Sequence, residues 1–197
     1  VTKMSLIRTF IAITLPKPIQ QELDEVIRLL KNEKAGAVGW VAAKNIHLTL
    51  KFLGEVDGAK VEAISQVIQA ESQPIHPFEL SVGGVGAFPN LHRPRVIWVG
   101  VQAPQTLTDL ANAIDQGTQR LGFQGEERVF NPHLTLGRLS QNTALKEMQA
   151  VAQALSAARI GNLGSFTVTQ VTLFRSDLQS SGAVYTPLFT ASLKTLG

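Results

Sequence analysis

Two tetrapeptides in this chain are identical: His47-Leu48-Thr49-Leu50 and His133-Leu134-Thr135-Leu136. In an extended strand, residues i and i+2 face the same side. Each histidine therefore shares a face with its threonine, and the leucines share the opposite one. With the leucines in the core, a cleft receives two imidazoles and two hydroxyls. That set suits phosphoryl chemistry. A neutral imidazole can accept a proton from an attacking hydroxyl or water, and a protonated one can donate to the leaving oxygen. The hydroxyls can hold the non-bridging phosphate oxygens between them.

One histidine in an apolar strand is more often structural than catalytic. His76, between Pro74 and Pro77, and His92, beside Arg93, read as loop residues of that kind. Two identical motifs in corresponding strands are harder to dismiss, because duplication alone does not keep polar residues on the face opposite the leucines. Zinc is the rival chemistry. Catalytic zinc usually takes three protein ligands, and neither a third histidine nor a His-Glu-x-x-His pattern accompanies the pair. Glu55 and Asp57 fall at a strand end. The expectation is catalysis with no metal and no cofactor. Gly83-Gly84-Val85-Gly86 lacks the Lys-Ser/Thr of a phosphate-binding loop and reads as a turn. There is no Gly-x-Ser-x-Gly nucleophile elbow.

The elements that must carry the motifs repeat as well. The offset between the histidines is 133 − 47 = 86 residues, and such a period marks a duplicated unit. In the first half, alternation predicts a strand over Ser5–Thr14. Pro18 opens a helix with Ile19, Leu23, Val26, Ile27 and Leu30 at helical spacing. Asn45–Leu53 is the motif strand, with Phe52 on its leucine side and hence in the core. A helix follows over Lys60–Ala70, with Val61, Ile64 and Ile68 inward, and then a short strand over Phe78–Val82.

In the second half, Arg95–Val101 reads as a strand. Leu107, Leu110, Ala111 and Ile114 mark a helix. Pro132 precedes the second motif strand. Thr143–Ala157 reads as a helix with Leu145, Met148 and Leu155 on its apolar side. Ser165–Phe174 reads as one long strand, and Val184–Leu193 as another. Each half is thus β-α-β-α-β with an extra strand at the end. The expected organisation is a single bilobal domain. Residues up to about 85 form a first repeat carrying His47, and residues from about 95 a second carrying His133. The segment Gly83–Pro94 crosses between them.

Composition agrees with a globular protein. Of 197 residues, 44% are hydrophobic and 17% charged, which excludes a disordered chain. The net charge of +3 fits a phosphate-bearing substrate without demanding one. No cysteine is present, so thiolate chemistry and disulfides are excluded. No apolar run approaches the roughly 20 residues of a membrane span, and the N-terminus shows no secretory signal. Val1-Thr2-Lys3 ahead of Met4 reads as a tag remnant or an alternative start.

Taken together, these residues resemble the two-histidine phosphoesterase superfamily. Within it, the chain is most similar to the bacterial and archaeal RNA 2′,3′-cyclic phosphodiesterases, also called 2′-5′ RNA ligases. The likeness runs through Arg8-Thr9-Phe10-Ile11-Ala12-Ile13, Asn45 to Val56, Gly86-Ala87-Phe88-Pro89 and Arg93 to Val99. It continues through Phe130-Asn131-Pro132-His133 to Arg138, Phe174-Arg175-Ser176-Asp177-Leu178, Gly182 and Tyr185.

The resemblance implies an α+β, bilobal fold. Two antiparallel sheets would be related by the pseudo-two-fold duplication, with outer helices and a central cleft. It implies hydrolysis of a terminal RNA 2′,3′-cyclic phosphate to a 2′-phosphate, with His47 as proton donor and His133 as proton acceptor; the residues alone leave the two histidines equivalent. Thr49 and Thr135 would bind phosphate, Arg138 would pair with it, and Phe130 would stack on a base or pack in the core. Where relatives often carry tyrosine before the serine, this chain has Phe174, so no hydroxyl is available there.

RNA ending in a cyclic phosphate, tRNA halves among them, is the expected partner, in the cytoplasm and without an obligatory protein partner. Joining of RNA ends through a 2′-5′ bond would call on the same two histidines. Small cyclic nucleotides or 2′-5′ oligoadenylates are alternative substrates. A non-catalytic RNA-binding module is the alternative class, and it would not need paired acid–base groups.

Overall fold

The computed structural model describes residues 6–32, 37–180 and 182–194. Ser5, where the first strand was expected to begin, and Val1 to Met4 lie outside the described residues. The chain runs β1 (Leu6–Thr14), α1 (Lys17–Asn32), β2 (Val38–Trp40), a 3₁₀ turn (Ala43–Asn45) and β3 (His47–Asp57). Then come α2 (Val61–Ser72), β4 (Phe78–Phe88), β5 (Val96–Gln102), α3 (Gln105–Gln119) and β6 (His133–Leu139). The chain ends with α4 (Leu145–Ala157), β7 (Asn162–Val168), β8 (Gln170–Gln179) and β9 (Gly182–Ser192).

Every strand pairing is antiparallel, in the order β7-β4-β5-β6-β3-β1-β8-β9, with β2 added beside β6. This is the α+β architecture expected, except that the two sheets expected are the halves of one continuous antiparallel sheet, because β3 and β6 pair across the seam. They meet where β3 and β6 pair at Leu48 and Leu134. The halves exchange strands. β4, from the first part of the chain, lies beside β5, and β8, from the second part, lies beside β1.

The apolar periodicities do what they predict. Leu23, Ile27 and Leu30 of α1, Ile64 and Ile68 of α2, and Leu107, Leu110 and Ile114 of α3 are buried. They pack with Leu48, Leu50, Leu134, Leu136, Ile97 and Val99 in one core. The sheet's other face carries the motif histidines and is left open. Among the described residues, no helix is long and apolar enough to cross a membrane.

Four expectations are corrected. The stretch Ser165–Phe174 is not one strand: the chain breaks at Thr169, β7 pairs with β4, and β8 pairs with β1. Alternation continues across Thr169 with no turn residue to interrupt it. The short strand Phe78–Val82 runs on to Phe88, so its glycines belong to a strand and the crossing is confined to residues 89–95. Glycine is required at Gly86, where an added Cβ would strike the Trp98 ring that crosses it from β5. Helix α4 starts at Leu145, not Thr143, and Leu145 in its first turn is 66% exposed, not core. Strand β2, three residues long, has too little sequence to show a period.

Candidate active site

The two motif strands meet at one register pair, Leu48 opposite Leu134. Antiparallel pairing carried one residue to either side sets His47 opposite Thr135 and Thr49 opposite His133. The histidines thus occupy diagonal corners of a small rectangle and the threonines the other two. Leu48 and Leu134 point into the core and are fully buried. This is the symmetrical set that the two tetrapeptides require.

Both imidazoles are held in the same way. Nδ1 of His47 lies 2.8 Å from the Asn45 carbonyl, and Nδ1 of His133 lies 2.7 Å from that of Asn131. A carbonyl only accepts, so Nδ1 carries the proton in each ring. Nε2 of each is left to exchange protons with a ligand. Asn45 is itself tied down, its side-chain amide donating to the Ala183 carbonyl of β9 at 2.8 Å.

The surroundings of the rings differ. His47 stacks on Phe10 at 4.5 Å and meets Tyr185 edge-on at 5.2 Å. Burial among these rings holds its pKa below the ordinary 6.5, outweighing the Asn45 carbonyl, which acts in the opposite sense. His133 meets Phe88 edge-on at 4.9 Å, with Trp98 further off at 6.5 Å. Burial also raises the Tyr185 pKa, against the opposing fields of Arg8 and Arg138. Phe174 stacks on Phe10 at 5.3 Å. The phenol that position 174 lacks is thus present on the neighbouring strand, at Tyr185.

His133, Thr49, Thr135, Arg138 and Phe130 line one cavity, together with Phe52, Arg95, Asn112 and Arg128. His47 is not among the residues lining that cavity; it packs against Phe10 and Tyr185. Phe130 packs against the core and also lines the cavity. Phe52 was expected in the core and is instead 54% exposed. Relative to β1, β3 carries an extra residue at Leu50: Ala12 pairs with Thr49, but Ile11 pairs with Lys51. This bulge reverses the alternation, so Lys51 turns to the helix side and Phe52 into the cleft. Strand β6 repeats the irregularity, with Trp98 opposite Thr135 and Ile97 opposite Gly137. Arg138, exposed on the cleft side, is therefore the counterpart of Phe52, at the same offset, 138 − 52 = 86.

Sequence reasoning missed the walls Phe10 and Tyr185, the wall Trp98, and the burial of Lys51. Strict alternation along β1 would have put Phe10 on a face with Ala12. Nothing local connects Tyr185 to His47. His76 and His92 are exposed loop residues, as expected. Among the described residues, no three His, Cys, Asp or Glu side chains gather as metal ligands would.

Comparison with known proteins accounts for this geometry. A family model described as the 2′-5′ RNA ligase superfamily matches residues 15–179. The chain belongs to that superfamily. The RNA 2′,3′-cyclic phosphodiesterase of Methanothermobacter thermautotrophicus is 34% identical over 182 residues, covering 92% of this chain and 96% of the relative. The Escherichia coli K12 protein of the same name is also 34% identical, over 92% of this chain and 93% of its own. The crystal structure of E. coli LigT with 3′-AMP superposes with a TM-score of 0.77 at 32% identity, covering 97% of this chain and all of that one. Other LigT crystals hold ATP, NADP+ or phosphate.

Proposed function

We propose that this member of the 2′-5′ RNA ligase superfamily hydrolyses the terminal 2′,3′-cyclic phosphate of RNA to a 2′-phosphate, by acid–base catalysis without a metal. One observation carries the reading. The Leu48–Leu134 register sets two His–Thr pairs diagonally on one open face, each histidine with Nδ1 committed to a backbone carbonyl and Nε2 free. The names of the relatives agree.

In the proposed reaction, His133 Nε2 takes a proton from water as its oxygen attacks phosphorus. The P–O3′ bond breaks, and His47 Nε2–H gives its proton to O3′. The product carries a 2′-phosphate and a 3′-hydroxyl. Proton exchange with solvent then recharges His47 and discharges His133. Burial supports the donor role of His47. An imidazolium enclosed by Phe10 and Tyr185 is a stronger acid than a solvated one, and a bound phosphate anion supplies the charge that keeps it protonated until then. Thr49 and Thr135 hydrogen-bond the non-bridging oxygens, Arg138 pairs with them, and Phe130 offers a face to the terminal base. With a 5′-hydroxyl in place of water as the attacking group, the same steps break P–O3′ and leave a 2′-5′ phosphodiester. RNA fragments such as tRNA halves, in the cytoplasm, are the proposed substrates.

The test is incubation with an RNA ending in 2′,3′-cyclic phosphate in the presence of EDTA, with identification of the product isomer. A 2′-phosphate formed at the chelator-free rate is expected. Loss of activity restored by zinc or manganese refutes the metal-free mechanism. A substrate whose leaving group needs no protonation separates the histidines. It should rescue His47→Ala and leave His133→Ala slow, and the opposite pattern would mean the roles are reversed.

A further inference from the structure

Lys51 is 2% exposed. A buried ammonium calls for a reason, because removing the charge from water is costly unless it is paired. The bulge at Leu50 turns Lys51 toward α3, where its Nζ donates to Asp115 and to the Gln124 carbonyl; the pair lies in the wall of the cavity that His133 also lines. Asp115 accepts in turn from Gln119 Nε2 at 2.7 Å and from the Glu126 backbone N–H at 3.2 Å. Burial would raise the Asp115 pKa, but the hydrogen bonds from Lys51, Gln119 and Glu126 hold it below the ordinary value.

The segment held in this way runs from the end of α3 to His133. It has no regular structure between residues 123 and 132, and Val129 within it is 91% exposed. Among the described residues, the hydrogen bonds of residues 124–130 all run to Lys51 or Asp115. The segment then supplies Phe130 to the cleft wall and the Asn131 carbonyl to His133 Nδ1.

The other half has a matching tie made differently. Four residues past His133 stands Gly137, and the space a side chain would fill is taken by Val38 and Trp40 of β2. Strand β2 pairs along β6, and Val41 N–H donates to the Leu136 carbonyl at 2.8 Å. From there the chain passes through the 3₁₀ turn to Asn45, whose carbonyl holds His47. The segment leading to each histidine is thus fastened to the strand of the other.

We propose that Lys51 and Asp115 are positioning residues of the active site: a buried strut by which the His47 strand sets the place of Phe130 and of the Asn131 carbonyl, and so the orientation of His133. It rests on the catalytic reading of the two histidines given above, and its function is to fix the distance between acid and base. Both residues border the cavity, and the part assigned to them is to hold residues 124–131 in place.

The double variant Lys51→Met/Asp115→Leu tests this, because an apolar pair can replace a buried ion pair without loss of fold. It removes the ties to Gln124 and Glu126 and leaves no unpaired charge. Far-UV circular dichroism and strand amide protection should match wild type. Amide exchange at residues 124–131 should accelerate, and kcat on a dinucleotide 2′,3′-cyclic phosphate should fall roughly 10- to 100-fold with a smaller change in KM. The His133 ring nitrogen shifts should move while those of His47 stay. Wild-type exchange at 124–131 together with wild-type kcat overturns the proposal.

If the double variant does not fold, Asp115→Asn, which keeps an acceptor for Lys51 but weakens the hold on residue 126, decides by the same exchange and kcat criteria. If wild-type protein fails to open the cyclic phosphate, the catalytic reading falls, and the exchange and ring-nitrogen measurements still decide whether the strut positions residues 124–133.

Discussion

Lys51 and Gly137 occupy the same place in the two halves of the sheet, each four residues past a histidine and just beyond a bulged leucine. One is the longest side chain the fold buries completely, and the other has none. Near-symmetry at the histidines therefore coexists with two unlike supports behind them. What is equal is the outcome: in both rings Nδ1 is held by the backbone carbonyl two residues earlier.

The histidine variants give the first prediction. His47→Ala and His133→Ala should each lower kcat by roughly 10²–10⁴ while circular dichroism stays that of the native fold. Thr49→Ala and Thr135→Ala should cost less, on the order of 1–3 kcal/mol each, through lost hydrogen bonds to phosphate. Native turnover in either histidine variant would sink the catalytic assignment.

Arg138 and Phe130 should separate by substrate. Arg138→Ala removes a charge from the cleft and should raise KM for any cyclic phosphate, by about 1.5–3 kcal/mol of binding. Phe130→Ala should weaken an RNA substrate by about 1–3 kcal/mol, and a cyclic phosphate without a base far less. Equal losses on both substrates would show that Phe130 acts through the core and not through a base.

The enclosure of His47 has a pH signature. Its folded pKa lies below 6.5, so in the window beneath that value the unfolded chain binds the extra proton and the folded chain does not. Stability contributed by the buried neutral ring is present above 6.5 and is lost as pH falls toward the folded pKa. Tyr185→Ala opens one side of the ring and should raise the His47 pKa toward 6.5, followed by NMR titration of the ring proton Hε1, and should flatten the acid side of the stability curve. An unchanged titration would show that Tyr185 does not enclose the ring.

Gly137→Ala probes the other support. The added methyl meets Val38 and the Gly39 carbonyl, so β2 must shift off β6. A loss of about 1–3 kcal/mol in urea unfolding is expected, together with a lower kcat, because β2 leads to the Asn45 carbonyl behind His47. Wild-type stability and turnover would show that β2 is not needed to hold that carbonyl.

Much of this was legible in the chain. The two tetrapeptides, the helical spacing in α1 to α3 and the alternation of β1 are local patterns, and each fixes a face without knowledge of its neighbours. The errors arise where a neighbour decides. Phe52 reads as core because the bulge at Leu50 exists only relative to β1. Gly83–Phe88 reads as a loop because glycine ordinarily interrupts strands, whereas here Gly86 makes room for Trp98. Thr169 gives no sign that the chain leaves one side of the sheet for the other. Tyr185 lies 138 residues beyond His47 and shares no pattern with it.

The exchange of strands makes the two parts of the chain mutually dependent. Residues up to Phe88 supply β1 and β3 to one half-sheet but β2 and β4 to the other, and the rest of the chain supplies β8 and β9 to the first and β5, β6 and β7 to the second. Their one covalent joint is the exposed turn at 89–95. It is closed by its own hydrogen bonds: Asn90 Oδ1 accepts from the N–H groups of His92 and Arg93, and Arg95 N–H donates to the Phe88 carbonyl. A nick in that turn cuts no strand and no tie to the histidines. The two peptides would remain clasped like the subunits of a domain-swapped dimer, and either one alone would carry a single motif histidine on an incomplete sheet with bare edges. The molecule is in effect an obligate heterodimer written as one polypeptide.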